Sequence, residues 1–481
     1  MLLLGYAPEK HGSKMKISDL NQFTHHFWQE KIIPQLIDYI KIPNKSPAFD
    51  PNWEQNGHME KVLNLALDWV KKHAEDKWKI HSFKSENRTP LILLEIPGNT
   101  SGNILMYGHL DKQPEISGWN EGLGPWTPIL DGDKLYGRGG ADDGYAIFAS
   151  VCTVKALKKF NIPHPRIVIL IEFCEESGSP DLPFYVEQQK QLIGSPDLVI
   201  CLDSGTGNYD QFWLTTSLRG LIGCALRVDI LNEGIHSGGG SGIVPSSFRI
   251  ARQLLSRLED ETIGEILPVE FSVPIPQERI DQAKETITIL GNNYVNAFPW
   301  VENSYPVLTD PVELLLNNTW KPMLSITGAD GLPALKDSGN VLRPYTALKL
   351  SLRLPPTLDA KNAQSILQNL LLSKPPYGAE VSLKFDEPAS GWSAPPLQPW
   401  LDNAVQEASK NVYGKNALYM GEGGTIPFMA MLGEAFPEAQ FVITGVLGPQ
   451  SNAHGPNEFL HIPYAEKLTA SVTSIISKFP K

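Results

Sequence analysis

In "MYGHLDKQPE", His109 and Asp111 stand two residues apart, immediately past the apolar run 104–107. The same ending recurs along the chain. The run 167–173 leads into Glu175 and Glu176, the run 198–202 into Asp203, and the run 441–447 into a short loop carrying His454. A fifth cluster, Asp142-Asp143, follows "KLYGRGGA". Histidine, aspartate and glutamate without cysteine form a hard-to-borderline donor set, suited to zinc, manganese or cobalt. One cation would leave several of these carboxylates repelling each other. Two cations bridged by a shared carboxylate fit the count, and such a pair activates water for hydrolysis. Taken singly, each piece is an ordinary loop histidine, a solvated Glu pair or an Asp at a helix start. Randomly placed surface acids would not track strand ends.

The elements that must position these residues follow from hydrophobic periodicity. Helical spacing of three and four runs through "FTHHFWQEKIIPQLIDYIKI" and "MEKVLNLALDWVKKHAED". "KIHSFK", "PLILLEIPG" and "GNILMYGHLD" are strands, and "PRIVILIEFCEE" and "SPDLVICLDSG" are continuous apolar strands, too apolar to have a wet face. Alternating with helices, they predict an α/β fold with a mainly parallel sheet flanked by helices, and ligands at the carboxyl edge of the sheet. From about residue 214 the pattern changes to strand, helix, strand, helix, strand, which suits an inserted α+β sandwich. "FPWVENSYPVLTDPVELLLNNTWKP" receives no assignment. The closing part returns to α/β. The expected division is 1–213 and 394–481 as one catalytic domain, interrupted by 214–393.

At 481 residues the chain is long enough for two domains. The net charge of -12 argues against nucleic acid and anionic membranes as partners. Cys152, Cys174, Cys201 and Cys224 form no CxxC pair and read as reduced core thiols. The N-terminal "MLLLGYAPEKHG" is too short in its apolar run for a secretory leader, Met15 is a candidate start, and the expected location is cytoplasmic. "RGGADDG" and "HSGGGSG" complete no phosphate-binding motif, and no G-x-S-x-G elbow is present. His11, His25, His26, His58, His73, His81, His164 and His461 read as structural or exposed.

Taken together, the motifs resemble the M20 family of dinuclear metallopeptidases, in particular its carnosinase-like dipeptidase branch. "YGHLDKQP" is similar to YGHxDxQP, "GRGGADDG" to GRGxxDDKG, "EESGSP" to EESGS, and "SNAHGPNE" to NAHSxNE. "CLDSGTG" sits where the next acidic ligand belongs, "IHSGGGSG" resembles HSGxxGG, and "GEGGTIP" resembles REGGSIP. The resemblance implies a metallopeptidase domain interrupted by a lid and dimerisation domain, hence a homodimer acting on small peptides. It implies two divalent ions, zinc first and manganese or cobalt as alternatives. His109 and Asp203 would ligate one ion, Glu176 and His454 the other, with Asp142 bridging. Glu175 would be the general base, taking a proton from water and returning it to the leaving amine. Asp111 would support His109; residues two apart in an extended segment face the same way. His236 would reach the partner's site. Arg353 in "LSLRLPP", Asn340 in "GNVLRP" and the run Glu422, Gly423, Gly424, Thr425 would contact substrate.

The chain departs from the family at three positions. Gly144 stands for the lysine of DDKG, Gly421 for the arginine before EGG, and Gly455 for the serine after the last histidine. None removes a metal ligand. Two other functions are carried as rivals: an N-acyl amino acid amidohydrolase with the same metals, and a non-catalytic scaffold. A structural-zinc role is disfavoured because such sites favour cysteine.

Overall fold

A computed structural model describes residues 16–480. The apolar N-terminal run, His11 and Met15 lie outside the described residues. A six-stranded sheet runs in the order Lys79–Phe83, Leu91–Ile96, Arg166–Glu172, Asn103–His109, Leu198–Cys201, Gln440–Ile443. The last four are mutually parallel, and the first two add an antiparallel edge.

Every residue of Asn103–His109 is buried. The alternation of side chains across the strand splits the apolar run between two cores. Ile104 and Met106 enter one, with helices Ala146–Lys159 and Ile462–Ile476, while Leu105 and Tyr107 enter the other, with helix Pro427–Ala435. Each such side chain contributes about 1.5–3 kcal/mol by burial. That is why these strands read as continuously apolar. It also fixes the register that delivers their polar ends to one edge.

Residues 220–385 contain an antiparallel sheet in the order Met323–Asp330, Tyr345–Leu354, Gly220–Asp229, Glu380–Phe385. Tyr345–Leu354 alternates strictly between buried and half-buried positions, so one face is covered. Helices Ser247–Leu255 and Ala360–Leu372 cover it. Met323–Asp330 is an edge strand and largely exposed.

A small three-stranded sheet, Trp392–Ser393, Trp213–Leu218 and Leu418–Glu422, joins the two parts. The chain crosses into the antiparallel sheet at Arg219 and returns at Gly391. The two passages lie against each other. A Cβ on Gly220 would lie 2.8 Å from Ala389 O, and one on Gly391 would lie 2.5 Å from Leu218 O. Only glycine fits at either point.

The unassigned segment contains a helix, Pro311–Thr319. Asp310 caps it, its carboxylate accepting from the backbone N–H of Val312 and Glu313, and Pro311 occupies the first turn. "TDPVELLL" carried that start signal, an N-cap aspartate followed by proline. Helix Gln277–Leu290 packs on strand Leu418–Glu422 beside it.

Candidate metal centre

The parallel strands end together, and their polar residues converge. His109 closes its strand and is buried. Its Nε2 lies 3.4 Å from Asp142 Oδ1, 3.7 Å from Asp203 Oδ2 and 4.0 Å from Glu175 Oε2. His454 Nε2 lies 3.0 Å from Asp142 Oδ2 and 3.3 Å from Glu176 Oε2. Asp142 thus offers one oxygen to each histidine. Two triads, His109-Glu175-Asp203 and His109-Asp142-Glu176, each bring one ligand atom per residue within 4.8 Å of the others.

The local backbone explains the directions. Glu175 and Glu176 sit in a single 3-10 turn, Glu175–Ser177, directly after strand Arg166–Glu172. Both backbone N–H groups of the pair donate to Asp111, at 3.1 Å to Oδ1 and 3.0 Å to Oδ2. Asp111 is fully buried, and its Oδ1 also lies 3.2 Å from His109 Nδ1. One carboxylate therefore holds the turn that carries both glutamates and lies beside the histidine ring. Gln113 Nε2 donates to Glu176 Oε2. Asp142 stands in the turn Gly140–Gly144, and Asp143 accepts from the backbone N–H of His109 at 3.2 Å. His454 adopts a left-handed backbone, φ 64°, uncommon for a residue with a side chain.

The electrostatics test whether these residues suit divalent ions. Burial first, and then Asp203, pushes Glu175 up; burial and then Asp142 does the same to Glu176. Asp203 is raised by burial. Burial would raise Asp142 as well, but the two histidines hold it below the usual carboxylate range. Burial would lower His109, yet the carboxylates around it, Asp203 foremost, raise it. Both His109 ring nitrogens and Glu176 Oε1 are buried without a well-formed hydrogen bond. Acids that resist ionising together, around an imidazole with unsatisfied nitrogens, suit cations in place of protons. The donor set fits divalent metal.

The expected substrate residues divide. Arg353 Nη1 donates to Thr425 Oγ1 at 3.0 Å. Glu422 is tied down: its Oε1 accepts from Ser204 Oγ at 3.0 Å, Gly205 N at 2.7 Å and Thr215 Oγ1 at 3.0 Å. That oxygen anchors the loop after Asp203. Gly423 O accepts from Arg219 Nε at 3.2 Å, and a Cβ on Gly424 would meet open space. His236 and Asn340 are exposed on the antiparallel part, where Asn340 O accepts from Ser237 N. Neither belongs to the two triads of its own chain.

At each glycine that departs from the family, a Cβ would meet a neighbouring side chain. A Cβ at 144 would lie 2.2 Å from the Tyr39 ring, at 421 2.4 Å from Ser217 Oγ, and at 455 2.4 Å from Asn452 Nδ2.

The sequence pattern assigns no role to Arg138, Glu458, Gln113, Asp143, Lys112 or Arg219. Arg138 Nη1 and Glu458 Oε2 are 2.6 Å apart, and Arg138 Nη2 donates to the carbonyls of His454 and Gly455. Lys112, fully buried, donates to Tyr39 O and Ile42 O. Arg138 and Glu458 lie inside the quoted motifs "GRGGADDG" and "SNAHGPNE", which was their only signal.

Residues 105–478 match the profile of peptidase family M20/M25/M40. A cysteinylglycine-S-conjugate dipeptidase of Corynebacterium striatum is 25% identical over 464 residues, covering 91% of this chain and 94% of the relative. A human Beta-Ala-His dipeptidase is 26% identical over 429 residues, covering 84% of this chain and 82% of the relative. The solved structure of the dipeptidase Dug1p from Saccharomyces cerevisiae superposes with a TM-score of 0.78 at 21% identity, over 96% of this chain and 98% of that one.

Proposed function

The chain belongs to peptidase family M20/M25/M40, and on that premise we propose that it is a dinuclear metallodipeptidase. The observation that carries this reading is Asp142, whose two oxygens face His109 and His454 at the shared edge of the parallel strands. The relatives are named as dipeptidases.

His109 and Asp203 would hold one ion, Glu176 and His454 the other, and Asp142 both. When bound, the two ions supply Lewis acidity and lower the pKa of a water. Glu175 removes the proton from the attacking water and delivers it to the leaving amine. Asp111 keeps His109, Glu175 and Glu176 in place. Arg353 and Thr425 receive the peptide carboxylate, a planar anion suited to a guanidinium. Zinc is the first choice because histidine and carboxylate donors suit it, with manganese and cobalt next.

Residues 214–393 form the lid and dimerisation domain, inserted between 1–213 and 394–481. The exposed edge strand Met323–Asp330 presents unpaired backbone groups, a surface that a second copy can cover. His236, exposed on the same part, then serves the partner's centre. Among the described residues no helix is long and apolar enough to cross a membrane. All four cysteines are free and buried, which suits a reducing, cytoplasmic setting.

The test is metal analysis followed by hydrolysis of a panel: α-dipeptides, β-alanyl dipeptides, tripeptides and N-acyl amino acids. Dipeptide cleavage is expected. Cleavage of acyl amino acids alone would replace this reading with a deacylase, and no turnover with any added metal would replace it with a scaffold.

A further inference from the structure

Position 421 lacks the arginine that the family resemblance expects, and a Cβ there would lie 2.4 Å from Ser217 Oγ and 3.0 Å from Thr319 Cβ. Gly421 pairs with Ser217 in the parallel ladder between Leu418–Glu422 and Trp213–Leu218. Two residues further along come Gly423 and Arg219, and the Arg219 guanidinium fills the space over Gly423. Its Nη2 would lie 3.0 Å from a Cβ built on Gly423, and its Nε donates to Gly423 O at 3.2 Å. Nη1 donates to Asn317 O at 3.2 Å and Lys321 O at 3.4 Å, near the end of helix Pro311–Thr319. The main-chain carbonyl of Arg219 accepts the Thr425 hydroxyl, and Thr425 Oγ1 accepts from Arg353 Nη1 at 3.0 Å. One residue therefore holds Gly423 by its side chain and Thr425 by its backbone.

Arg219 is 6% exposed, and its hydrogen bonds go to carbonyls rather than to a carboxylate. Arginines this buried are usually paired with an acid. Burial and then the nearby Arg353 push Arg219 down to about 10. Two guanidiniums beside one loop make a positive field that an incoming carboxylate completes.

We propose that Arg219 is a positioning residue for the carboxyl end of the peptide. It holds Gly423 and Thr425 so that Arg353 and the loop grip the carboxylate together, a task for which position 421 has no side chain. The proposal rests on the dipeptidase reading above.

The test measures kcat and KM for a dipeptide and for the same dipeptide as its C-terminal amide, on metal-loaded protein. Wild type should prefer the free carboxylate. Arg219→Gln should raise KM for the dipeptide about tenfold, keep kcat within about threefold, and erase the preference over the amide. Arg219→Lys, which can still donate to a carbonyl, should recover part of it. In a double-mutant cycle with Arg353→Gln the two losses should be strongly non-additive. Unchanged KM and preference in Arg219→Gln, or additive losses, overturn the proposal. If Arg219→Gln fails to fold, Arg219→Lys, which keeps the charge but loses the guanidinium's spread of donors over Gly423, Asn317 and Lys321, decides by the same preference: a partial loss supports the proposal and an unchanged preference overturns it. A wild type that cleaves neither compound overturns the parent reading, and this one with it.

Discussion

Arg138 and Glu458, 320 residues apart in sequence, form a buried ion pair with 2.6 Å between Nη1 and Oε2. The pair joins the turn that carries Asp142 to the loop that carries His454. Glu458 Oε1 accepts from the backbone N–H of Gly139, and Arg138 Nη2 donates to the carbonyls of His454 and Gly455.

Removing one partner of such a pair strands the other in low dielectric. Glu458→Gln should cost about 3–5 kcal/mol of stability. The loop that carries His454 loses its tie, so the metal content should fall below wild type. Thermal unfolding and metal analysis on the same preparation check both effects.

Asp111 supports both sides of the centre at once. Asp111→Asn keeps the volume but has only one oxygen for two backbone donors. Its affinity for metal should fall about 10–100-fold. Turnover at saturating metal should recover more than turnover at limiting metal. A competition titration with a chelator measures the first, and kinetics at two metal concentrations the second.

Glu175→Gln removes the proton acceptor without removing volume. The variant should bind metal as wild type does and lose about 10²–10⁴ in kcat. Full activity in this variant would sink the assignment of Glu175 as the base.

Glu172 sits behind the centre, where it accepts hydrogen bonds from Tyr107 Oη at 2.7 Å and Ser179 Oγ at 2.8 Å. Burial pushes its carboxyl up to about 7. The folded protein thus holds this proton more tightly than the unfolded chain, whose glutamates titrate at about 4.3. Any stability from that difference is fully present below about pH 4.3 and is lost as the pH rises to about 7. Glu172→Gln, which cannot ionise, should lack this loss. Relative to wild type it should gain about 1–3 kcal/mol between pH 5 and pH 8. Urea unfolding at the two pH values reads the difference.

The parallel strands and their polar ends were legible because a strand buried on both faces needs an unbroken apolar run. Such a run makes the next polar residue conspicuous, as at His109, Glu175 and Asp203. Helix Pro311–Thr319 is legible in principle from its Asp310-Pro311 start, a signal obscured by the aromatics and prolines around it. The antiparallel pairing of Lys79–Phe83 and Leu91–Ile96 was not, because local pattern does not reveal which neighbour a strand pairs with.

By itself, the sequence determined the fold class and the residue types at the centre, since hydrophobic period and donor chemistry are local properties. Only the tertiary structure decided that one oxygen of Glu422 anchors the loop after Asp203, and that Arg138 and Glu458 lock two motifs together. It alone decided that Tyr39, Ser217 and Asn452 lie where side chains at Gly144, Gly421 and Gly455 would begin. Those outcomes depend on distances between segments far apart in the chain. Such distances are set by how the two cores close over the sheet, and no window of sequence contains them.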